Sequence, residues 1–360
     1  MTNLANEPLI ADAWYIAGWS HELSDGPVAR RIMNEDVVLF RTVEGKAGAL
    51  EDRCCHRHLP LSLGKRVGDR VQCGYHGLEF DASGACVKVP GQSKIPPGAQ
   101  VRSYPVIQRW GWVWIWTGDP AKADASLLPD WWWLDDPDWK TIPGRGGAPM
   151  PVEANYLLIS DNLFDISHLT YVHASSIGND SIVDFPVKTE RYDRGIKMTR
   201  LVPNRPAAPF YQKAGQFEGN VDRFLVTESD MPGYIVNHAG TYKLGADAQP
   251  GEVTEDIGVE MKVMNLPTPE TETSTHYFYA HARHFKIDAP DWDEIYRTQF
   301  TAVFEEDQVI LNAQQASMSK AADTAEIDVN SDAPNIQVRA LMDRLIAEEQ
   351  GTAPKERQYA

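Results

Sequence analysis

Cys54-Cys55-His56 and, after sixteen intervening residues, Cys73-Gly74-Tyr75-His76-Gly77 stand inside a region of short apolar runs. Each segment offers a thiol and an imidazole, in the orders Cys-x-His and Cys-x-x-His, and that pairing of soft donors suits a transition metal. Four such ligands make a tetrahedral Cys₂His₂ zinc site. They equally make a [2Fe–2S] cluster with two cysteines on one iron and two histidines on the other. The four cysteines, Cys54, Cys55, Cys73 and Cys86, all fall here, and in a reducing compartment metal binding is a better reading than disulfides. Cys55 and Cys86 read as ordinary buried thiols.

Around these segments Val37-Val38-Leu39-Phe40, Val71-Gln72-Cys73 and Leu78-Glu79-Phe80 alternate with turn residues, as in an antiparallel β domain. Trp110-Gly111-Trp112-Val113-Trp114-Ile115-Trp116 reads as one strand buried on both faces, its tryptophans a core between two layers. Residues 120–151, rich in Asp, Pro and Trp, read as an irregular connector packed by its own aromatics. The domain boundary is placed near 140, giving domains of 1–140 and 141–360. In the second, alternating segments such as Lys197–Val202, Arg223–Val226, Gly258–Val263 and His276–Tyr279 follow one another without regular intervening helices. That order predicts an α+β domain, an antiparallel sheet with helices on one side.

A chain of 360 residues can build two domains with substantial cores. A net charge of −17 repels phosphate backbones and anionic membranes, which argues against a nucleic-acid or membrane partner. No run of about 18 apolar residues is present to span a bilayer, and Met1–Asp12 lacks the order of a signal peptide. A cytoplasmic protein is expected.

Ser160 to Ser175 packs Asp161, Asp165, His168 and His173 among helix formers. On an ideal helix Asp165 and His168 share a face, whereas His168 and His173 lie roughly 140° apart. Both imidazoles reach one ion only if the turn between them widens, as in a π-bulge, or the helix ends there. After Ala289-Pro290 the longest helix is expected from Asp291, its N-cap, to about Ser319. Its apolar stripe runs through Trp292, Ile295, Tyr296, Phe300, Val303, Phe304, Ile310 and Leu311. Asp307 falls on the stripe and needs a metal or an arginine as partner. Glu305 and Glu306 fall off it and read as solvated charges. Two imidazoles and one carboxylate make the facial triad of non-haem iron.

Taken together, Cys-x-His-Arg…Cys-x-Tyr-His-Gly-Leu, the Asp165-x-x-His168…His173 segment and Phe304-Glu305-Glu306-Asp307 resemble Rieske non-haem iron oxygenases, in their oxygenase component, over essentially the whole length. Asn162-Leu163-Phe164-Asp165, His173-Ala174-Ser175-Ser176-Ile177-Gly178, Val89-Pro90-Gly91-Gln92 and Thr268-Pro269-Glu270-Thr271-Glu272-Thr273 are most similar to the vanillate O-demethylase and toluenesulfonate methyl-monooxygenase branch. The resemblance implies a Rieske β domain over 1–140 and a helix-grip catalytic domain over 141–360. It implies a [2Fe–2S] cluster on Cys54, His56, Cys73 and His76, and a mononuclear Fe(II) on His168, His173 and Asp307. Leu59 and Tyr75 occupy the positions where respiratory Rieske proteins carry a disulfide. Without it the cluster is expected in the lower part of the range of roughly −150 to +300 mV.

The resemblance further implies a head-to-tail homotrimer fed with NAD(P)H electrons by a flavin and iron–sulfur reductase or a ferredoxin. O₂ then hydroxylates a methyl or O-methyl group of an aromatic acid, with loss of formaldehyde from the latter. Asp165 matches the family's bridging carboxylate, hydrogen-bonded to His168 and to the partner subunit's His76, and Asn162 sits near the iron. The alternatives are ring cis-dihydroxylation and a pure electron carrier or redox sensor. An acidic substrate needs a cationic or donor anchor; His238, His276, His281 and Arg283 are of suitable type, and no pattern selects one.

Overall fold

Turn-forming residues cut the first part of the chain into strands too short to make a core singly. In the computed structural model, which describes residues 9–320 and 327–354, these are β1 (Trp14–Trp19), β2 (Val28–Ile32), β3 (Glu35–Arg41), β4 (Ala47–Glu51), β5 (Lys65–Val67), β6 (Arg70–Gln72), β7 (Glu79–Phe80), β8 (Cys86–Lys88), β9 (Val106–Arg109) and β10 (Trp112–Trp116). They pair antiparallel as β2-β3-β4, β1-β10-β9 and β5-β6-β7-β8. Every residue of β10 is buried, so its tryptophans are core. The strand is shorter than the expected Trp110–Trp116, because Trp110 and Gly111 take φ of 55° and 81° and form the turn from β9. Two left-handed residues in a two-residue hairpin match the twist of the strands they join. Leu9–Leu128 with Thr268–Thr271 form one compact unit, and Phe40, Leu50, Leu61, Val71 and Phe80 are the core beneath the cysteine loops.

The other unit contains Pro129–Pro267 and the chain from Glu272 onward. Its aromatic lead-in behaves as expected: Trp131, Trp133 and Trp139 are buried, and Trp131 packs edge-on against Tyr234. One antiparallel sheet follows, from β11 (Lys140–Pro143), β12 (Met150–Val152), β13 (Val187–Arg191), β14 (Gly195–Arg205), β15 (Val221–Asp230), β16 (Tyr234–Lys243), β17 (Gly258–Thr271) and β18 (Ser274–Arg283). Its order is β11-β18-β17-β16-β15-β14-β13, with β12 also on β18. Helices α1 (Tyr156–Phe164), α2 (Pro209–Gly215), α3 (Pro290–Ile295), α4 (Thr301–Met318) and α5 (Ala333–Gln350) complete the α+β unit. No helix among the described residues is long and apolar enough to cross a membrane.

The long C-terminal stripe folds as α3, a π-helical turn over Tyr296–Phe300, and α4. Asp291 is not its N-cap: Ala289 holds that place and Pro290 fills the first turn, where its missing N–H is no loss. Tyr279 stacks on Phe304 at 3.8 Å and His281 packs on Phe300 at 4.5 Å, so aromatic contacts with β18 set the rotation of the helix. Trp292, Tyr296, Phe300, Val303, Phe304 and Leu311 are buried as the stripe requires. Ile310 is 48% exposed, because its side of the helix faces an opening beside Asp165 and His168 rather than the sheet. Helix α5, not anticipated above, buries Val338, Leu341, Met342 and Leu345, whose three-and-four spacing is the helical signal.

Candidate metal centres

The two cysteine segments are copies of one turn. Cys54 N–H donates to the Leu59 carbonyl (2.9 Å) and His58 N–H to the Cys54 carbonyl (3.0 Å); Cys73 with Leu78 (2.8 Å) and Gly77 with Cys73 (3.1 Å) repeat the pattern at the same offsets. The fifth residue of each turn is left-handed, with φ of 59° at His58 and 74° at Gly77. Cys54 and Cys73 are buried, whereas His56 and His76 are exposed with ring centroids 4.6 Å apart. Burial above all, with the Cys73 thiol beside it, pushes the Cys54 thiol up to about 11. A bound cation reverses that cost by favouring thiolate. Two inner sulfurs and two outer imidazoles fit a cluster whose irons take Cys₂ and His₂ separately. A single zinc ion requires all its donors close together, yet among the described residues only His168, His173 and Asp307 gather three donor atoms within 4.8 Å of one another.

That second group is assembled by a helix that stops. Asn155 caps α1 through its side chain, accepting from Leu157 N–H at 2.9 Å. At Asp165 the backbone leaves the helix (φ −93°, ψ 79°), and the same residue caps a 3₁₀ turn over Ile166–Thr170, accepting from Ser167 N–H at 3.0 Å. Of the two routes that let His168 and His173 converge, the chain uses the helix end. The turn after His173 closes with Gly178 N–H on the His173 carbonyl, and only glycine fits: a Cβ at 178 would lie 1.9 Å from the Leu169 carbonyl oxygen.

The proton positions follow from the partners. His168 Nδ1 faces the main-chain carbonyl of Asp165 at 2.6 Å, which can only accept, so that nitrogen carries the proton. His173 Nδ1 lies 2.7 Å from Glu306 Oε2. Both Nε2 atoms therefore turn toward Asp307 Oδ1, at 3.7 Å from His168 and 3.0 Å from His173. Asn162 donates to the same oxygen at 3.1 Å. Two imidazole nitrogens and a carboxylate oxygen converging with their protonated sides outward form a cation site. Burial lowers the His168 pKa; burial also disfavours charge on His173, but Asp307 and Glu306 together raise its pKa.

These donors lie on the wall of a cavity of about 100 Å³, lined mostly by apolar side chains including Leu163, Ile166, Leu225, Met261, Val263 and Phe304. Three of its polar side chains, Thr227, Asn237 and Asn265, are tied to one another. Tyr277 donates to Asn265 (2.6 Å), Asn265 to Asn237 (2.8 Å), Asn237 to Thr227 (2.8 Å) and Thr227 to the Leu163 carbonyl (3.2 Å). This relay crosses the sheet and fixes the last turn of α1, next to Asp165 and His168.

Several expected roles change. Glu306 is not a free solvated charge: although its side chain is 42% exposed, its carboxylate holds His173. Loss of such an outer partner typically costs about 10–100-fold in metal affinity. Glu306→Ala should therefore release ferrous iron to a chelator more readily than the unsubstituted protein, and Glu305→Ala should not; equal retention in both would remove Glu306 from the site. Asp165 meets His168 through its main-chain carbonyl and not its carboxylate, which is occupied by Ser167 N–H and Oγ. Asp161 pairs with Arg339 of α5. Of the anchor types, Arg283 pairs with Asp293 at 2.6 Å. His281 is fully buried among aromatics, its pKa pushed down to about 3 by burial. His238 pairs with Glu260, and His276 stands opposite Pro151 in the β12–β18 pairing. Arg223, which the sequence reading did not select, lines the cavity; a cation directly preceding the apolar run Phe224-Leu225-Val226 was the available signal.

Comparison with known proteins agrees with both centres. Residues 13–105 match the Rieske [2Fe–2S] domain and residues 152–348 the vanillate O-demethylase oxygenase C-terminal domain. The chain is 38% identical to the toluene-4-sulfonate monooxygenase system iron-sulfur subunit of Comamonas testosteroni, covering 96% of this chain and 99% of that one. It is 35% identical to a vanillate O-demethylase oxygenase subunit of a Pseudomonas species, over 95% and 96%. The crystal structure of dicamba monooxygenase bound to dicamba superposes with a TM-score of 0.85 at 32% identity, covering 96% of this chain and 100% of that one. The chain belongs to the Rieske non-haem iron oxygenases, enzymes with a [2Fe–2S] cluster and a mononuclear iron, and is an oxygenase component of the vanillate O-demethylase and toluenesulfonate monooxygenase branch.

Proposed function

We propose that this chain is the terminal oxygenase of a monooxygenase that hydroxylates a methyl or O-methyl group of a small aromatic acid. NAD(P)H electrons arrive through a separate flavin and iron–sulfur reductase or a ferredoxin, and the working form is a cytoplasmic homotrimer. The observation that carries the reading is the convergence of His168, His173 and Asp307 on the wall of an apolar cavity of about 100 Å³. Cys54, His56, Cys73 and His76 would hold the cluster in the 1–140 domain, and the three converging side chains the mononuclear iron in the 141–360 domain. When bound, the cluster supplies electrons one at a time and the mononuclear iron supplies O₂ activation.

The protein's own part is positioning. Asn162 holds the Asp307 carboxylate, and Glu306 and the Asp165 carbonyl engage Nδ1 of the two imidazoles and so turn both Nε2 atoms toward Asp307. The apolar walls present a methyl group and keep water out. The reaction consumes O₂, two electrons and two protons: one oxygen atom enters the methyl C–H bond and the other leaves as water. A hydroxylated O-methyl group is a hemiacetal, which releases formaldehyde and leaves a phenol. Asp165 and His168 also line a second opening, next to half-exposed Ile310. That supports delivery of electrons from a neighbouring subunit by way of the partner subunit's His76.

Incubation of the metallated protein and a reductase with methoxy- and methylbenzoates and the corresponding sulfonates, under ¹⁸O₂, tests the reading. Formaldehyde or a benzylic alcohol carrying one labelled atom is expected. A cis-dihydrodiol carrying both atoms would overturn it in favour of ring dihydroxylation, and absence of any oxidised product would overturn it altogether.

A further inference from the structure

Among the buried guanidinium groups, Arg283 is neutralised by Asp293 and Arg339 by Asp161, while Arg200 donates to the Ile182 carbonyl and does not line the cavity. Arg223, only 4% exposed, has no carboxylate partner among the described residues. Its Nη1 donates to the Ile177 carbonyl at 3.3 Å, the guanidinium lies 4.4 Å from the centre of the Tyr211 ring, and Nε has no hydrogen-bond partner in the protein. A buried cation with spare donors is costly unless something else supplies the anion.

Strand register says where that anion would come from. Side chains alternate across a sheet, so Arg223, Leu225 and Thr227 of β15 share one face with Ala239 of β16, opposite Leu225, and all four line the cavity. His238, which also lines the cavity, lies one step out of phase with them and is already paired with Glu260. Thr227, Asn237 and Asn265 spend their polar atoms on one another. Arg223 is thus the cavity's cation with uncommitted N–H groups. The molecule's charge of −17 opposes anion entry at long range, so an acidic substrate needs such a local counter-charge.

We infer that Arg223 is the specificity-determining anchor for the oxyanion of the substrate, a carboxylate or sulfonate carried on the ring. The inference rests on the proposed function, which it deepens by naming the residue that demands the charge. A planar guanidinium suits two-oxygen recognition of either group.

Calorimetry on the anaerobic, fully metallated protein without reductase tests it, using 4-methoxybenzoate with 4-methoxybenzamide and toluene-4-sulfonate with toluene-4-sulfonamide as probes. The unsubstituted protein should bind at least one acid roughly 10- to 100-fold more tightly than its neutral partner. Arg223→Gln should erase that preference by weakening the acid while leaving the amide within about threefold. Arg223→Lys should keep part of it, and the two pairs show which oxyanion is preferred. A merely structural arginine would weaken acid and amide alike, and that result overturns the inference, as does unchanged acid binding in Arg223→Gln. Equal binding of acid and amide by the unsubstituted protein overturns it even if the variants do not fold. Should that protein still oxidise the neutral probes, releasing formaldehyde from 4-methoxybenzamide or forming a benzylic alcohol from toluene-4-sulfonamide, the anchor alone fails and the proposed function stands.

Discussion

Asp307→Ala is expected to abolish turnover and empty the mononuclear site while leaving the iron–sulfur absorbance intact. Asp307 Oδ1 is the atom on which both Nε2 nitrogens and the Asn162 amide converge. Its removal deletes a hard ligand and leaves two neutral imidazoles, too few donors for labile ferrous iron. The loss should exceed the roughly 10–100-fold cost of an outer partner such as Glu306. Iron analysis should fall from about three per chain to about two, the cluster's share. Retention of the third iron with normal turnover would mean that another carboxylate completes the site.

Two individually dead variants should rescue one another. In the proposed homotrimer a His76 variant would lack a working cluster and a His168 variant the mononuclear iron, so each should be inactive by itself. Co-assembled, they should recover part of the unsubstituted rate, because one chain's intact cluster can feed its neighbour's intact iron. Verified mixed trimers that stay inactive would place the transfer within one chain. Asp165→Asn probes the same route. Because His168 is held by the main-chain carbonyl of Asp165, this variant should keep both metal centres. Its turnover should nevertheless fall sharply, since the carboxylate lining the second opening loses its charge.

Much of the candidate site was readable along the chain because its proposed donors come in short-range clusters. Cys54 with His56, Cys73 with His76, and His168 with His173 each lie within one turn or loop, where spacing alone limits what the side chains can do together. Turn residues between apolar runs likewise announced short antiparallel strands. The exceptions are instructive: Trp110 reads as strand by alternation, yet its left-handed φ makes it a turn residue. The pattern records which faces are apolar and not where the backbone reverses.

What the sequence by itself determined is the donor chemistry: two donor sets of different softness in one order on one acidic chain, whose resemblance to the Rieske non-haem iron oxygenases implied an α+β oxygenase with two iron centres. Asp307 could be separated from its acidic neighbours because a carboxylate on an apolar stripe must have a partner. Tertiary structure decided the rest. Glu306, off that stripe and half exposed, becomes a ring-orienting group only because His173, 133 positions away, is brought to its carboxylate. Arg223 becomes a cavity group only once strand register sets it on the same face as Leu225 and Thr227. Contacts of this kind depend on the packing of separate elements. No local spacing encodes them, since the side chain's own periodicity is the same whether its neighbour is water, an imidazole or a substrate.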